Sequence, residues 1–233
     1  MEYADKSVDA SHKMIASTTC AAALHQAGKI EEAEKLFIEA EGLQKEGQPE
    51  YPRLYSVRGF KYCDLILEKR DYKEVLKRAE ETLEWAEKYL ALLDIALGNL
   101  SFGRAHLYKT LKEGGDYSKS ERYLNEAVDG LRKASDQAFI TCGLLAHAEL
   151  YRIKGVFSKA ERDITKAMTI ATRGEMKLYQ ADCHLEYARL HLAEGDKAKA
   201  HGHWSTAKTM INEMGYHRRD KDIEEIEKLL DRQ

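Results

Sequence analysis

Gly28-Lys29-Ile30-Glu31-Glu32-Ala33-Glu34-Lys35-Leu36-Phe37-Ile38-Glu39-Ala40 decides the fold, because the chain repeats the plan of this stretch. The same beginning returns at Arg70-Asp71-Tyr72, Gly115-Asp116-Tyr117, Gly155-Val156-Phe157 and Gly195-Asp196-Lys197. The anchors stand at positions 28, 70, 115, 155 and 195, a period of about 40–45 residues. A period in that range means a stacked array of small units, each leaning on its neighbours. Such arrays present a long surface rather than build a catalytic pocket.

The residues after each anchor follow one rule. Five positions on stands a compact residue: Ala33, Val75, Ser120, Ala160 or Ala200. Nine positions on stands Phe37, Ala79, Leu124, Ile164 or Trp204, and twelve on stands Ala40, Thr82, Ala127, Ala167 or Ala207. Steps of four and three put these residues on one helix face. Small residues there let a neighbouring helix approach, and the large one between them fills the gap. Seven positions before the anchor stands Ala21, Cys63, Ala148 or Ala188. The third unit departs from the rule: Tyr108 occupies that place and the better match is Gly103, which implies an insertion within 108–114.

This grammar resembles the tetratricopeptide repeat (TPR), with its small residue before a turn and A-x-x-x-F after it. Ala33-Glu34-Lys35-Leu36-Phe37 matches that last element letter for letter. The resemblance covers nearly the whole chain. The period is roughly six residues longer than the usual length of about 34, and the proline that closes each repeat is absent. Longer, proline-poor repeats are similar to the TPR sensor domain of the maltose-regulator type, often the C-terminal part of bacterial signal-transduction ATPases with numerous domains. The stretch Met214-Gly215-Tyr216-His217-Arg218-Arg219-Asp220 also looks like the tail of such proteins. The resemblance implies an all-α fold: a TPR-like right-handed α-solenoid of five helix pairs and a C-terminal capping helix, forming one domain over residues 1–233.

Composition agrees with this. Charged residues make up 33% of the chain and apolar ones 43%, and both prolines, Pro49 and Pro52, fall within 47–52, between the first two units. Their exclusion from everything else is what long helices require. Net charge is −3 with the signs mixed, which gives no electrostatic case for nucleic acid or an anionic membrane. The start, Met1-Glu2-Tyr3-Ala4-Asp5, lacks the basic and apolar regions of a signal peptide. The apolar run Tyr89-Leu90-Ala91-Leu92-Leu93 stops at Asp94, far short of a membrane span. Cys20, Cys63, Cys142 and Cys183 fall near one per unit, a spacing that suits small buried residues in a reduced cytoplasm.

The pattern predicts first helices over 6–27, 53–69, 91–112, 136–154 and 175–194. Second helices follow over 30–46, 72–88, 117–133, 157–173 and 197–213. Ser118-Lys119-Ser120-Glu121 and Ser158-Lys159-Ala160-Glu161 have the form of capping boxes. Gly174 and Gly215 are placed to end helices in the left-handed conformation. A last helix over 220–231 carries Ile223, Ile226, Leu229 and Leu230 on one stripe and charges elsewhere, as a sealing helix should.

In repeats of this type the first helices line the concave wall. The candidate partner-binding residues are Phe60, Asp64, Arg104, Leu145, Glu149, Arg152, Asp182, Leu185 and Arg189, with Val57, Leu67, Leu97, Leu100, Leu107, Cys142 and Leu192 beside them. Apolar positions topped by single charges suit a peptide or a partner's helix, with the charges choosing the register. The competing reading is that these charges pair across adjacent helices and brace the stack. Other chemistry finds little support. His184 and His191 are seven apart, and His201 and His203 point about 200° from each other on a helix, so no metal is expected. Cys183 and His184 diverge as helix neighbours, no glycine-rich phosphate loop occurs, and neither a catalytic residue nor a cofactor is expected. The basic run Tyr216-His217-Arg218-Arg219 reads as a solvated connector, with a phosphate site as the alternative. The expectation is a protein- or peptide-binding scaffold or sensor module of a larger bacterial signalling protein. The alternative is a small-molecule-sensing regulatory domain.

Overall fold

A computed structural model describes residues 2–89 and 91–232, with side-chain surroundings from residue 11 onward; Leu90 of the apolar run therefore lies outside the described residues. Five helix pairs follow one another. They are α1 (Glu2–Gln26) with α2 (Ile30–Gly47), α3 (Ser56–Glu68) with α4 (Tyr72–Lys88), α5 (Leu92–Glu113) with α6 (Ser118–Ala134), α7 (Gln137–Ile153) with α8 (Phe157–Arg173), and α9 (Lys177–Glu194) with α10 (Lys197–Met214). A short 3₁₀ turn, His217–Arg219, leads into α11 (Asp220–Leu230). The result is an all-α solenoid.

The repeated face explains the packing. Ala33, Phe37 and Ala40 in α2, and their counterparts Ala160, Ile164 and Ala167 in α8, have no exposed surface. Ala21, Ala148 and Ala188 on the first helices are equally buried, so the paired helices meet through small residues. In the third unit Gly103 takes the compact place: a Cβ there would lie 2.7 Å from the Leu124 side chain, and Ser120 Oγ donates to the Gly103 carbonyl at 2.8 Å. The insertion lengthens α5 and leaves Tyr108 free to point elsewhere. Replacing Ala167 with leucine is expected to cost about 1–3 kcal/mol by overpacking. A thermal melt reads this, and an unchanged midpoint would contradict the register.

Every anchor adopts positive φ: Gly28 76°, Arg70 64°, Gly115 115°, Gly155 73° and Gly195 84°. The turn between paired helices demands a left-handed residue, which is why glycine fills four of the five places. Several local expectations are corrected. Gly215 is left-handed, but at the end of α8 Glu175 takes that conformation and Gly174 does not. The capping boxes do not form, since α6 and α8 start from Tyr117 and Val156 without a side-chain cap. Glu121 instead binds Lys154 at 2.5 Å. The caps that do form are aspartates: Asp71, Asp136 and Asp196 accept from the amides of Glu74, Phe139 and Lys199. Cys20 is exposed, against the expectation of burial. On α11, Ile223 and Ile226 are buried against the last pair, but Leu229 is 43% exposed.

The curvature follows from which helices touch. First helices contact the next first helix along the stack (α1 with α3, α3 with α5, α5 with α7, α7 with α9), whereas second helices contact only first helices within the stack. The stack therefore bends with α1, α3, α5, α7 and α9 inside. The bend is tight enough to bring the ends together. The 3₁₀ turn packs on α1, with His217 backbone 3.0 Å from where a Gly28 Cβ would lie. The inner wall is thus closed by the chain's own C-terminal segment.

Candidate functional site

The inner face lines an open cavity of about 560 Å³. Phe60, Asp64, Arg104, Leu145, Glu149, Asp182, Leu185 and Arg189 line it; Arg152 does not, because its Nε donates to Glu186 Oε1 at 2.6 Å. Of the neighbouring positions, Cys142 lines the cavity. Leu67, Leu97, Leu100 and Leu107 are buried in the helix layer instead. The inner stripe of α5 is Arg104 and Tyr108, one turn apart, not the leucines around them. Tyr108 marked itself in the sequence by standing where a compact residue belonged. Sequence reasoning also missed Tyr179, Glu186 and the contributions of α1 and the C-terminal segment.

The run Tyr216-His217-Arg218-Arg219 is no solvated connector. Tyr216 is 3% and Arg218 8% exposed, and both line the cavity with Arg219. Arg218 reaches across to α3, where Nη1 meets Asp64 Oδ2 at 2.6 Å and Nε donates to Glu68 Oε2 at 2.7 Å. Asp64 also accepts from Arg104 at 2.7 Å, and Glu68 meets His25 Nε2 at 2.8 Å. On the other wall Arg219 Nε donates to Asp182 Oδ1 at 2.7 Å, and Tyr216 donates its hydroxyl to the same carboxylate. Arg189 pairs with Asp222 of α11 and with Glu186 at 3.5 Å. Arg104 and Arg189 are therefore bracing residues, engaged within the wall.

The electrostatics divide the carboxylates into two kinds. Burial alone would raise Asp64, but Arg218 and Arg104 hold it well below the usual range. Glu68 is held down in the same way by His25 and Arg218, and Asp222 by Arg219 and Arg189. Glu149 is the opposite case: burial and then Glu186 push its carboxyl upward. It makes no ion pair or hydrogen bond among the described residues, although Arg152, Arg189 and Arg104 lie near. Tyr108 is raised by Glu149 and by burial. Glu149 and Tyr108 are thus polar groups of the wall left available to an incoming molecule.

Linkage gives an acid limb. A carboxylate with a lowered folded pKa contributes stability above its unfolded value, about 4, and loses it as pH falls through the folded value. Asp64, Glu68 and Asp222 all act in this direction. Glu149, raised, relieves the fold slightly over the same descent. Melts between about pH 7 and 3 should fall steeply below about pH 4 for wild type and less steeply for Arg218→Ala. Parallel curves would contradict this assignment.

Among the described residues no helix is long and apolar enough to cross a membrane, and no three His, Cys, Asp or Glu side chains are grouped to hold a metal. His184 Nδ1 lies 2.9 Å from His203 Nδ1, and burial with the nearby His184 and His191 lowers His203 to about 4. His201 lies apart from that pair, against Trp204.

No family model matches this sequence, and no curated protein matches it. Among solved structures it is similar to the crystal structure of a thermophilic TPR protein from Thermus thermophilus, with a TM-score of 0.61 and 16% identity over 93% of this chain and 98% of that one. At that identity the likeness is one of fold, and the fold is that of a TPR-like solenoid of paired helices.

Proposed function

We propose that this chain is a protein- or peptide-binding scaffold or sensor module, one continuous domain that works in the cytoplasm as part of a larger bacterial signalling protein. The observation that carries the reading is the central cavity. Its wall is fixed by paired charges, while Glu149 and Tyr108 keep polar capacity turned inward. A braced wall orders few groups on binding, which lowers the entropic cost of capture. Asp64, Arg104, Asp182 and Arg189 shape the site, and Phe60, Leu145 and Leu185 give it apolar lining. Arg152 supports it through Glu186.

A second reading rests on the closure of the wall. A cavity of about 560 Å³, walled on one side by the C-terminal segment, has the size of a small-molecule chamber. A regulatory ligand held there would bias the docking of that segment.

One experiment addresses both. Wild-type protein is screened with a displayed peptide library and, by thermal shift, with a small-metabolite set. Ala23→Trp obstructs the cavity from an exposed lining position, and Glu149→Gln removes its unpaired charge. Peptide hits that weaken at least about tenfold in both variants, at unchanged melting, support the scaffold reading. Small-molecule hits with that behaviour support the chamber. Hits that bind both variants as well as wild type place binding elsewhere and overturn both readings.

A further inference from the structure

A second concavity adjoins the central cavity only at Phe60, and the sequence shows how it arises. Pro49 and Pro52 hold residues 48–55 out of helix, so α3 starts only at Ser56. The space left beside α4 and α5 is a pocket of about 260 Å³. Its walls include Tyr51, Tyr55, Trp85 and Tyr89. The rings of Tyr51 and Trp85 stand 5.2 Å apart at 74°, those of Tyr55 and Trp85 6.4 Å apart at 88°, and those of Tyr51 and Tyr89 6.2 Å apart at 70°. The rings pack edge to face, and all four residues line the pocket. None of these four side chains is buried, although the chain has a core to bury them in.

The loop that carries the tyrosines is pinned. Gln44 donates to the Tyr51 carbonyl at 3.0 Å, the Leu54 amide donates to Glu41 at 3.0 Å, and Arg53 is clamped by Glu74 and Glu81. Gly59 lets the loop lie close, since a Cβ there would meet the Leu54 carbonyl at 2.4 Å. The cup therefore exists before any ligand arrives. Its charge is the deciding feature. Asp94, in the first turn of α5, lines it and forms no ion pair or side-chain hydrogen bond among the described residues. Arg78 also lines the pocket, but it is occupied by Glu41 and Glu74 and stacked on Tyr62. Arg58 and Lys88 lie 6.0 and 5.7 Å from the Tyr55 and Tyr89 ring centres, so these rings already attract cations. Tyr51 and Trp85 hold none among the described residues.

We infer that this aromatic cup binds an alkylated ammonium group, with Trp85 and Tyr51 giving ring faces to the cation and Asp94 compensating its charge. A quaternary ammonium is large, weakly hydrated and has no N–H to donate, so ring faces and one carboxylate are the surroundings that favour it. The site shares only Phe60 with the central cavity and does not rest on the function proposed for that cavity.

Calorimetry on the full chain tests this with choline, tetramethylammonium and trimethyl-lysine amide. The control is the dimethylbutanol in which carbon replaces choline's nitrogen, which has the same shape without the charge. The ammonium ligands are expected to bind, and the neutral isostere at least about tenfold more weakly. Asp94→Asn and Trp85→Leu should each weaken choline several-fold, and Glu149→Gln should leave it unchanged. Tighter binding of the lysine amide than of choline identifies a modified side chain as the source; the reverse identifies a free small molecule. If Trp85→Leu fails to fold, Asp94→Asn and the isostere decide. Equal binding of the isostere, or no saturable binding of any ammonium up to about 50 mM, overturns the inference.

Discussion

Replacing Arg218 with alanine is expected to cost about 3–5 kcal/mol. The guanidinium is buried and serves two carboxylates at once, Asp64 and Glu68. Its removal leaves both half-buried carboxylates short of a partner, and the remaining Arg104 and His25 do not replace it. For a chain of this size the melting temperature should fall by about 10 °C. Lys228→Ala is the control, since its contact with Glu224 is an exposed pair expected to contribute well under about 1 kcal/mol. If the two variants melt alike, Arg218 is not docked on α3.

Deleting residues 220–233 should be nearly as damaging, and in a different way. Ile223 and Ile226 are buried against α9 and α10, and losing both removes about 3–5 kcal/mol of apolar burial. Trp204, whose indole nitrogen donates to the Ile223 carbonyl at 3.1 Å, becomes exposed. Arg189 loses Asp222. The truncated chain should show a lowered melt, a red-shifted Trp204 emission in a Trp85→Phe background, and concentration-dependent self-association through the bared end. A monomer with unchanged emission and melt would mean that α11 is not a seal.

The two predictions mark where the sequence was readable and where it was not. The repeat was legible because it is written in local spacing: Ala33, Phe37 and Ala40 announce a helix face, and Gly28, Gly115, Gly155 and Gly195 announce the turns. Even the irregular third unit was readable from Tyr108 and Gly103. Closure was not, because Arg218 and Glu68 are 150 residues apart and nothing in either segment names the other. A short basic run reads as solvated unless the carboxylates opposite it are known. The inner register of α5 was blurred for a related reason. Leu97, Leu100 and Leu107 share the wall's apolar character but turn into the helix layer. The capping boxes failed since Ser118 and Ser158 fall inside the first helical turn rather than before it. The aromatic cup depends on a proline loop meeting the far end of α4, again a tertiary event.

The central claim is that the stack closes on itself, so that the C-terminal segment completes the cavity. The most direct test is a distance between spin labels at Lys29→Cys and His217→Cys, both exposed, in a Cys20→Ser, Cys142→Ser background. With the 3₁₀ turn against Gly28, pulsed EPR should give one population below about 20 Å. An open solenoid, with first helices spaced about 8–10 Å along the stack, would give roughly 35 Å or more. A single long distance would contradict the closed cavity and the functional reading built on it.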